Sequence, residues 1–151
     1  MSLEANKALA RRIWEEVLNG RNPRLADELI APDAVEHETA PGINPRGPEG
    51  LKAVVAMLST GFPDYHFAID QLIAEGDKVA AQTTFSGTHR GLFMGVPPTG
   101  KRVAQRQMHI VRLLAGKVVE HWAVRDDLGA FQQLGAIPEM PAAPASAAAS
   151  A

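Results

Sequence analysis

Two features of the chain predict an α+β fold. Before Phe62 its apolar residues recur at helical spacing, and after Pro63 they recur at strand spacing, with Gly-containing turns between the runs. Segregated helices followed by a meander of strands imply helices packed on one face of a curved, mainly antiparallel sheet, an arrangement that can enclose one deep pocket.

The elements follow in order. Leu9, Ile13 and Val17, with Trp14 and Leu18 beside them, make residues 3–19 an amphipathic helix that Asn19-Gly20 ends. Pro23 opens a second, short helix carrying Leu25, Leu29 and Ile30, stopped by Pro32. Residues 34–38, which include His37, read as a short β segment, and a Pro/Gly loop runs from Pro41 to Gly47. Pro48 sits at the first position of a third helix whose buried stripe is Leu51, Val54, Val55 and Leu58.

Residues 65–74 and 78–88 are two strands joined at Glu75-Gly76-Asp77. A loop over 89–101, rich in Gly and Pro, is either a lid or a rigid connection. Two more strands and a helix over Asp127–Leu134 complete a domain expected to span 1–137. The Ala/Pro/Ser-rich stretch 138–151 is expected to be a disordered tail.

Composition narrows the function. The chain has 151 residues, 46% of them hydrophobic, enough for one domain with a substantial core. Its net charge of −2, with Lys and Arg scattered, argues against a nucleic-acid surface. There is no cysteine, so thiolate chemistry and disulfides are excluded. No apolar run is long enough to span a bilayer, and no signal-like core is seen, so a cytoplasmic location is expected. The five histidines are too dispersed to suggest a metal site.

The most informative stretch is GKVVEHWAVRDDLGAFQQLG, from Gly116 to Gly135. A hairpin loop centred on Ala115-Gly116 would place His109 opposite Trp122 and Gln105 opposite Asp126. One face would then hold Val103, Val111, Leu113, Val118 and Val124, the other Arg106, Arg112, His121, Arg125 and Asp127. In that register Asp126 is the inward carboxylate, desolvated beside Trp122 and fit for proton transfer, while Asp127 caps the last helix. His109 would orient substrate or share the proton. Gln105 and Gln107, on the same face, need partners if buried and so favour a polar-lined pocket. His37 is a candidate second pocket residue, and Trp14, Phe62 and Trp122 are candidate pocket walls.

FPDYHFAIDQLIAEGDKVAAQTTFSGTHRG, GVPPTGKRV and GKVVEHWAVRDDLGAFQQLG together resemble the SnoaL-like polyketide cyclases of the NTF2-like superfamily, over roughly residues 3–136. The resemblance implies a cone-shaped α+β barrel with three N-terminal helices on a sheet of four to six strands, paired as a homodimer through the outer sheet face. It further implies cyclisation of a small hydrophobic, carbonyl-containing molecule by intramolecular aldol condensation, without metal or cofactor. The acid/base it implies, an aspartate four residues after the tryptophan, falls on Asp126, and His109 lies in a strand that often carries a pocket histidine. Two alternatives stand beside this reading. One is a protein that only sequesters a lipophilic ligand. The other is an epoxide hydrolase of the limonene type, which needs an Asp-Arg-Asp set inside the pocket and is disfavoured because, in Arg125-Asp126-Asp127, strand alternation puts Arg125 on the opposite face from Asp126.

Overall fold

The computed structural model describes residues 1–39, 42–43 and 46–141, so most of the expected tail lies outside the described residues. Its elements are α1 (Leu3–Arg12), a π-helical continuation (Ile13–Asn19), a 3₁₀ turn (Pro23–Leu25), α2 (Ala26–Leu29), β1 (Ile30–Glu36) and α3 (Pro48–Gly61). There follow β2 (His66–Glu75), β3 (Lys78–Thr88), β4 (Arg102–Leu114), β5 (Lys117–Arg125) and α4 (Asp127–Leu134). The five strands form one open sheet in the order β1-β5-β4-β3-β2, antiparallel except where β1 runs parallel to β5.

The first helix starts at Ser2, whose hydroxyl accepts from the Ala5 N–H at 3.1 Å. Beyond Arg12 it widens, and Gly20 and Asn22 donate to the carbonyls five residues back. In that wider coil Ile13, Trp14, Val17 and Leu18 all turn inward and are buried. The end of the coil is pinned to the sheet. The Asn19 amide exchanges two 2.8 Å hydrogen bonds with the Phe67 backbone, and the Tyr65 hydroxyl donates to the Leu18 carbonyl at 2.6 Å. Trp14 is thereby held over the inner face of the sheet.

The second helix is shorter than expected, ending at Leu29, and the strand that follows begins at Ile30 rather than Ala34. Pro32 is tolerated within β1 because β1 is an edge strand, where a missing N–H costs no ladder bond. Gly47 precedes α3 at φ 66°, and a Cβ there would stand 2.5 Å from the Pro32 carbonyl oxygen, so this approach of α3 to β1 requires glycine.

Loop 89–101 is fastened rather than free. Arg90 and Gly91 both donate to the Gly61 carbonyl, His89 and Lys101 pair across its base, and Phe93 packs on Phe62 at a 5.0 Å centroid distance. Of the two expectations for this loop, the rigid connection is the one these contacts describe, although Phe93 and Met94 still form part of the cavity wall.

The β4–β5 hairpin turns on two residues, with Ala115 at φ 50° and Gly116 at φ 76°, the primed geometry that matches strand twist. Leu114 faces Lys117 and Leu113 faces Val118, the expected register. One extra residue, Val119, then intrudes: Arg112 faces Glu120, and His109 faces Ala123 rather than Trp122. From there to the end of β5 every side chain lies on the face opposite to the one expected.

At the strand end the Asp126 carboxylate accepts from the Gly129 N–H at 2.9 Å and caps α4. Gly135 and Ala136 close the helix by donating back to Gln132 and Phe131. Replacing Asp126 with Ala should cost about 1 kcal/mol of stability, the usual loss for an N-cap, whereas Asn should cost much less. Urea denaturation of the two variants measures the difference.

Candidate active site

The sheet's inner face, the π-helical segment, α3 and α4 enclose a cavity of about 300 Å³. Its walls are largely apolar: Trp14, Leu18, Phe62, Phe67 and Phe85 are buried, while Met57, Phe93, Met94 and Phe131 are more exposed. An apolar enclosure with few, convergent polar groups is the usual form of a small-molecule site.

Those polar groups form one continuous ladder. Gln105 Nε2 donates to Asp127 Oδ1 at 2.8 Å, Gln107 Nε2 donates to Gln105 Oε1 at 2.7 Å, and His109 Nε2 meets Gln107 Oε1 at 2.9 Å. His109 Nδ1 meets His121 Nε2 at 2.9 Å, and His121 Nδ1 meets Glu36 Oε2. Gln105, Gln107 and His109 come from the alternating inner face of β4, and His121 comes from β5 beyond the bulge. Glu36 comes from β1, in register with His121. Asp127 is the first residue of α4 and lies at the mouth, its side chain 55% exposed, with Arg125 Nε 3.9 Å away.

The polarity of the ladder follows from Asp127. A carboxylate accepts only, so Gln105 must present its NH₂ there, which commits its oxygen to the Gln107 NH₂. The Gln107 oxygen then requires Nε2–H on His109, and the His109 Nδ1 accepts from His121. His109 is 7% exposed, and its side chain is edge-on to Trp14 at 5.3 Å. Burial pulls its pKa down to about 3, with His121 and Arg125 adding positive charge nearby. His109 is therefore a neutral member of the ladder at ordinary pH, not a proton acceptor.

Of the expected site residues, Gln105, Gln107, His109, Trp14 and Phe62 line the cavity, and Asp126, Trp122 and His37 do not. Asp126 is exposed and spends its carboxylate on the helix cap. Trp122 and His37 stack on each other at 4.7 Å on the outer face, where His37 Nε2 lies 3.2 Å from Glu120. That Glu120 carboxylate is held below the usual range by the Arg112 guanidinium and then by His37. The corrections on β5 and just after it share one cause, the bulge at Val119. It turns Trp122, Val124 and Asp126 outward and brings in His121, Arg125 and Asp127, three residues expected outside. The roles assigned to the paired aspartates are exchanged: Asp126 caps and Asp127 faces the cavity.

A signal for this existed. Val118-Val119 is a doubled apolar pair near the start of the strand, and Val119 is partly buried against the core. Glu36 had no comparable signal, because its place depends on a parallel pairing between distant segments.

Comparison with known proteins agrees with this architecture. The family model for SnoaL-like polyketide cyclase matches residues 8–134. The chain belongs to this family. The aklanonic acid methyl ester cyclase DnrD of Streptomyces peucetius is 34% identical over 134 residues, covering 84% of this chain and 88% of that one. TsrD of Streptomyces laurentii superposes with a TM-score of 0.82 at 29% identity, covering 91% of this chain and 99% of the other. IdmH of Streptomyces antibioticus superposes with a TM-score of 0.74 at 32% identity, over 86% and 98% of the two chains. The expected NTF2-like α+β architecture is borne out by these structures.

The buried, neutral His109 also predicts how this SnoaL-like protein responds to acid. Its folded-state pKa of about 3 lies below the 6.5 of an unfolded histidine, so the unfolded chain binds more protons between these values. Stability should fall as pH drops through this window, by about 1.4 kcal/mol per pH unit from this one group once well below 6.5. His109→Gln should flatten that slope in urea titrations at pH 7 and pH 5.

Proposed function

We propose that the protein is a cofactor-independent polyketide cyclase that closes a ring by intramolecular aldol condensation, with Asp127 as the proton acceptor. The observation that carries this reading is the placement of one carboxylate, backed by an amide ladder and beside a guanidinium, at the mouth of an apolar cavity. Its Oδ1 is occupied by Gln105 and held in a fixed orientation. The substrate carbon that loses its proton is flanked by carbonyls and is already acidic, so one positioned carboxylate serves as base. Arg125 lies where it can attract the oxygen on which enolate charge develops. The apolar walls hold a flexible chain folded, converting ring closure into a reaction between neighbouring groups.

The substrate class is a hydrophobic aromatic polyketide ester, on the strength of DnrD, whose name specifies aklanonic acid methyl ester. Among the described residues lining the cavity Asp127 is the one aspartate, so the Asp-Arg-Asp set of the epoxide reading is not assembled there, although Arg125 does face inward.

Aklanonic acid methyl ester is the probe, its cyclisation followed by chromatography. Asp127→Asn should lower kcat at least 100-fold, the scale of a lost general base, with binding retained. Asp126→Asn should leave kcat within a few-fold. Binding without turnover in the unaltered protein would favour ligand sequestration instead.

A homodimer through the outer sheet face is part of the same proposal. Met108, Ile110 and Val124 stand exposed there beside the Trp122–His37 stack, an apolar strip on adjacent strands β4 and β5. Val124→Lys together with Ile110→Glu should convert the dimer to a monomer in analytical ultracentrifugation without loss of helix or sheet signal.

A further inference from the structure

The ladder from Asp127 to Glu36 has five contacts and four members between its two carboxylates. Each contact needs one hydrogen lying between its two heavy atoms. Each glutamine supplies one along the ladder and uses its oxygen for the other neighbour, and each neutral imidazole likewise supplies one and accepts one. Four neutral members supply four hydrogens. Both ends are carboxylates, which supply none. The count is short by one, whichever way the amides and rings are turned.

We propose that the ladder carries one stored proton, seated on His121 between His109 and Glu36, and that it is released when Asp127 takes up the substrate's proton. An imidazole is a stronger base than a carboxylate, so the extra hydrogen belongs on the ring, with Glu36 accepting from Nδ1–H and His109 accepting from Nε2–H. The carboxylate in direct contact with it favours that seat. His121 meets the Glu36 carboxylate from β1 and neutral His109 from β4, while the Arg125 cation stands four residues away along its own strand. The apolar walls from α3 and the π-helical segment bring no competing charge. His109 is excluded as the holder because burial and these neighbours keep it neutral. At the other end Asp127 faces Arg125 and Gln105, with Glu38 at the rim and Asp126 directed away.

The catalytic use of the store rests on the aldol reading above. The substrate's Cα–H bond breaks as its proton passes to Asp127. The freed electron pair forms the C–C bond at the carbonyl carbon as the carbonyl π pair moves onto oxygen, and Asp127 returns the proton to the resulting alkoxide. No electron leaves the system, and the number of protons on the ladder is unchanged. While Asp127 holds the substrate's proton, His121 can release its surplus one, and reversing four of the five contacts, all but the one from His121 to Glu36, satisfies every contact again. His121 and Glu36 are each about one-quarter exposed, so solvent can restore the starting arrangement.

Nitrogen-15 spectra of the histidine rings of the full-length protein test the store without any substrate, so the outcome stands whatever becomes of the cyclase reading. At pH 7 His121 should carry hydrogen on both ring nitrogens and His109 on one. In Glu36→Gln the new amide donates to His121 Nδ1, the count closes at five, and His121 should lose one ring hydrogen. Asp127→Asn should cause the same loss from the far end of the ladder, because an asparagine there can donate to Gln105. Asp126→Asn, an equal change of charge outside the cavity, should leave His121 doubly protonated. A singly protonated His121 in the unaltered protein overturns the proposal. So does a His121 that keeps both hydrogens in Asp127→Asn, or one that loses a hydrogen equally in Asp126→Asn.

Discussion

One extra residue in one strand governs the interior of this protein. Val119 enters β5 after a hairpin turn that had set a different parity, and each later side chain in the strand changes face. Without it, the cavity would receive an indole, a valine and a capping aspartate. With it, the cavity receives an imidazole, a guanidinium and a carboxylate whose amide partner is already in place on β4. A side-chain period of two makes such a displacement all-or-none.

The polar ladder is possible because its surroundings are dry and firmly located. Asn19 and Tyr65 tie the π-helical segment to β2, and that tie holds Trp14 against His109. Burial makes each unsatisfied polar atom expensive, so three buried side chains on one strand must satisfy one another or point at the ends of the row. They do both. The resulting chain has no freedom to reorient one member alone, and its two accessible termini come to share a common proton count.

The outer face of the same sheet repeats the theme with water in place of walls. Trp122 stacks on His37, Glu120 bridges His37 and Arg112, and exposed aliphatic residues surround the group. The residues that the bulge moves out of the cavity therefore build a second, partly apolar surface. A single register change sorted the histidines, acids and aromatics of β5 between these two environments.

Much of this was open to reading in the amino-acid order alone. The helices, the two tight turns, the α+β class and the inner face of β4 follow from apolar periodicity and turn chemistry, which are local properties. Strong local motifs in the second half of the chain also carried the SnoaL-like resemblance. The second helix was read too long, because Pro32 was taken as a helix stop although an edge strand tolerates it equally well. Which aspartate faces inward, whether His121 joins His109, and that Glu36 completes the row were decided only in three dimensions. A bulge and a parallel strand pairing are set by how distant segments pack, and no spacing along one segment encodes them.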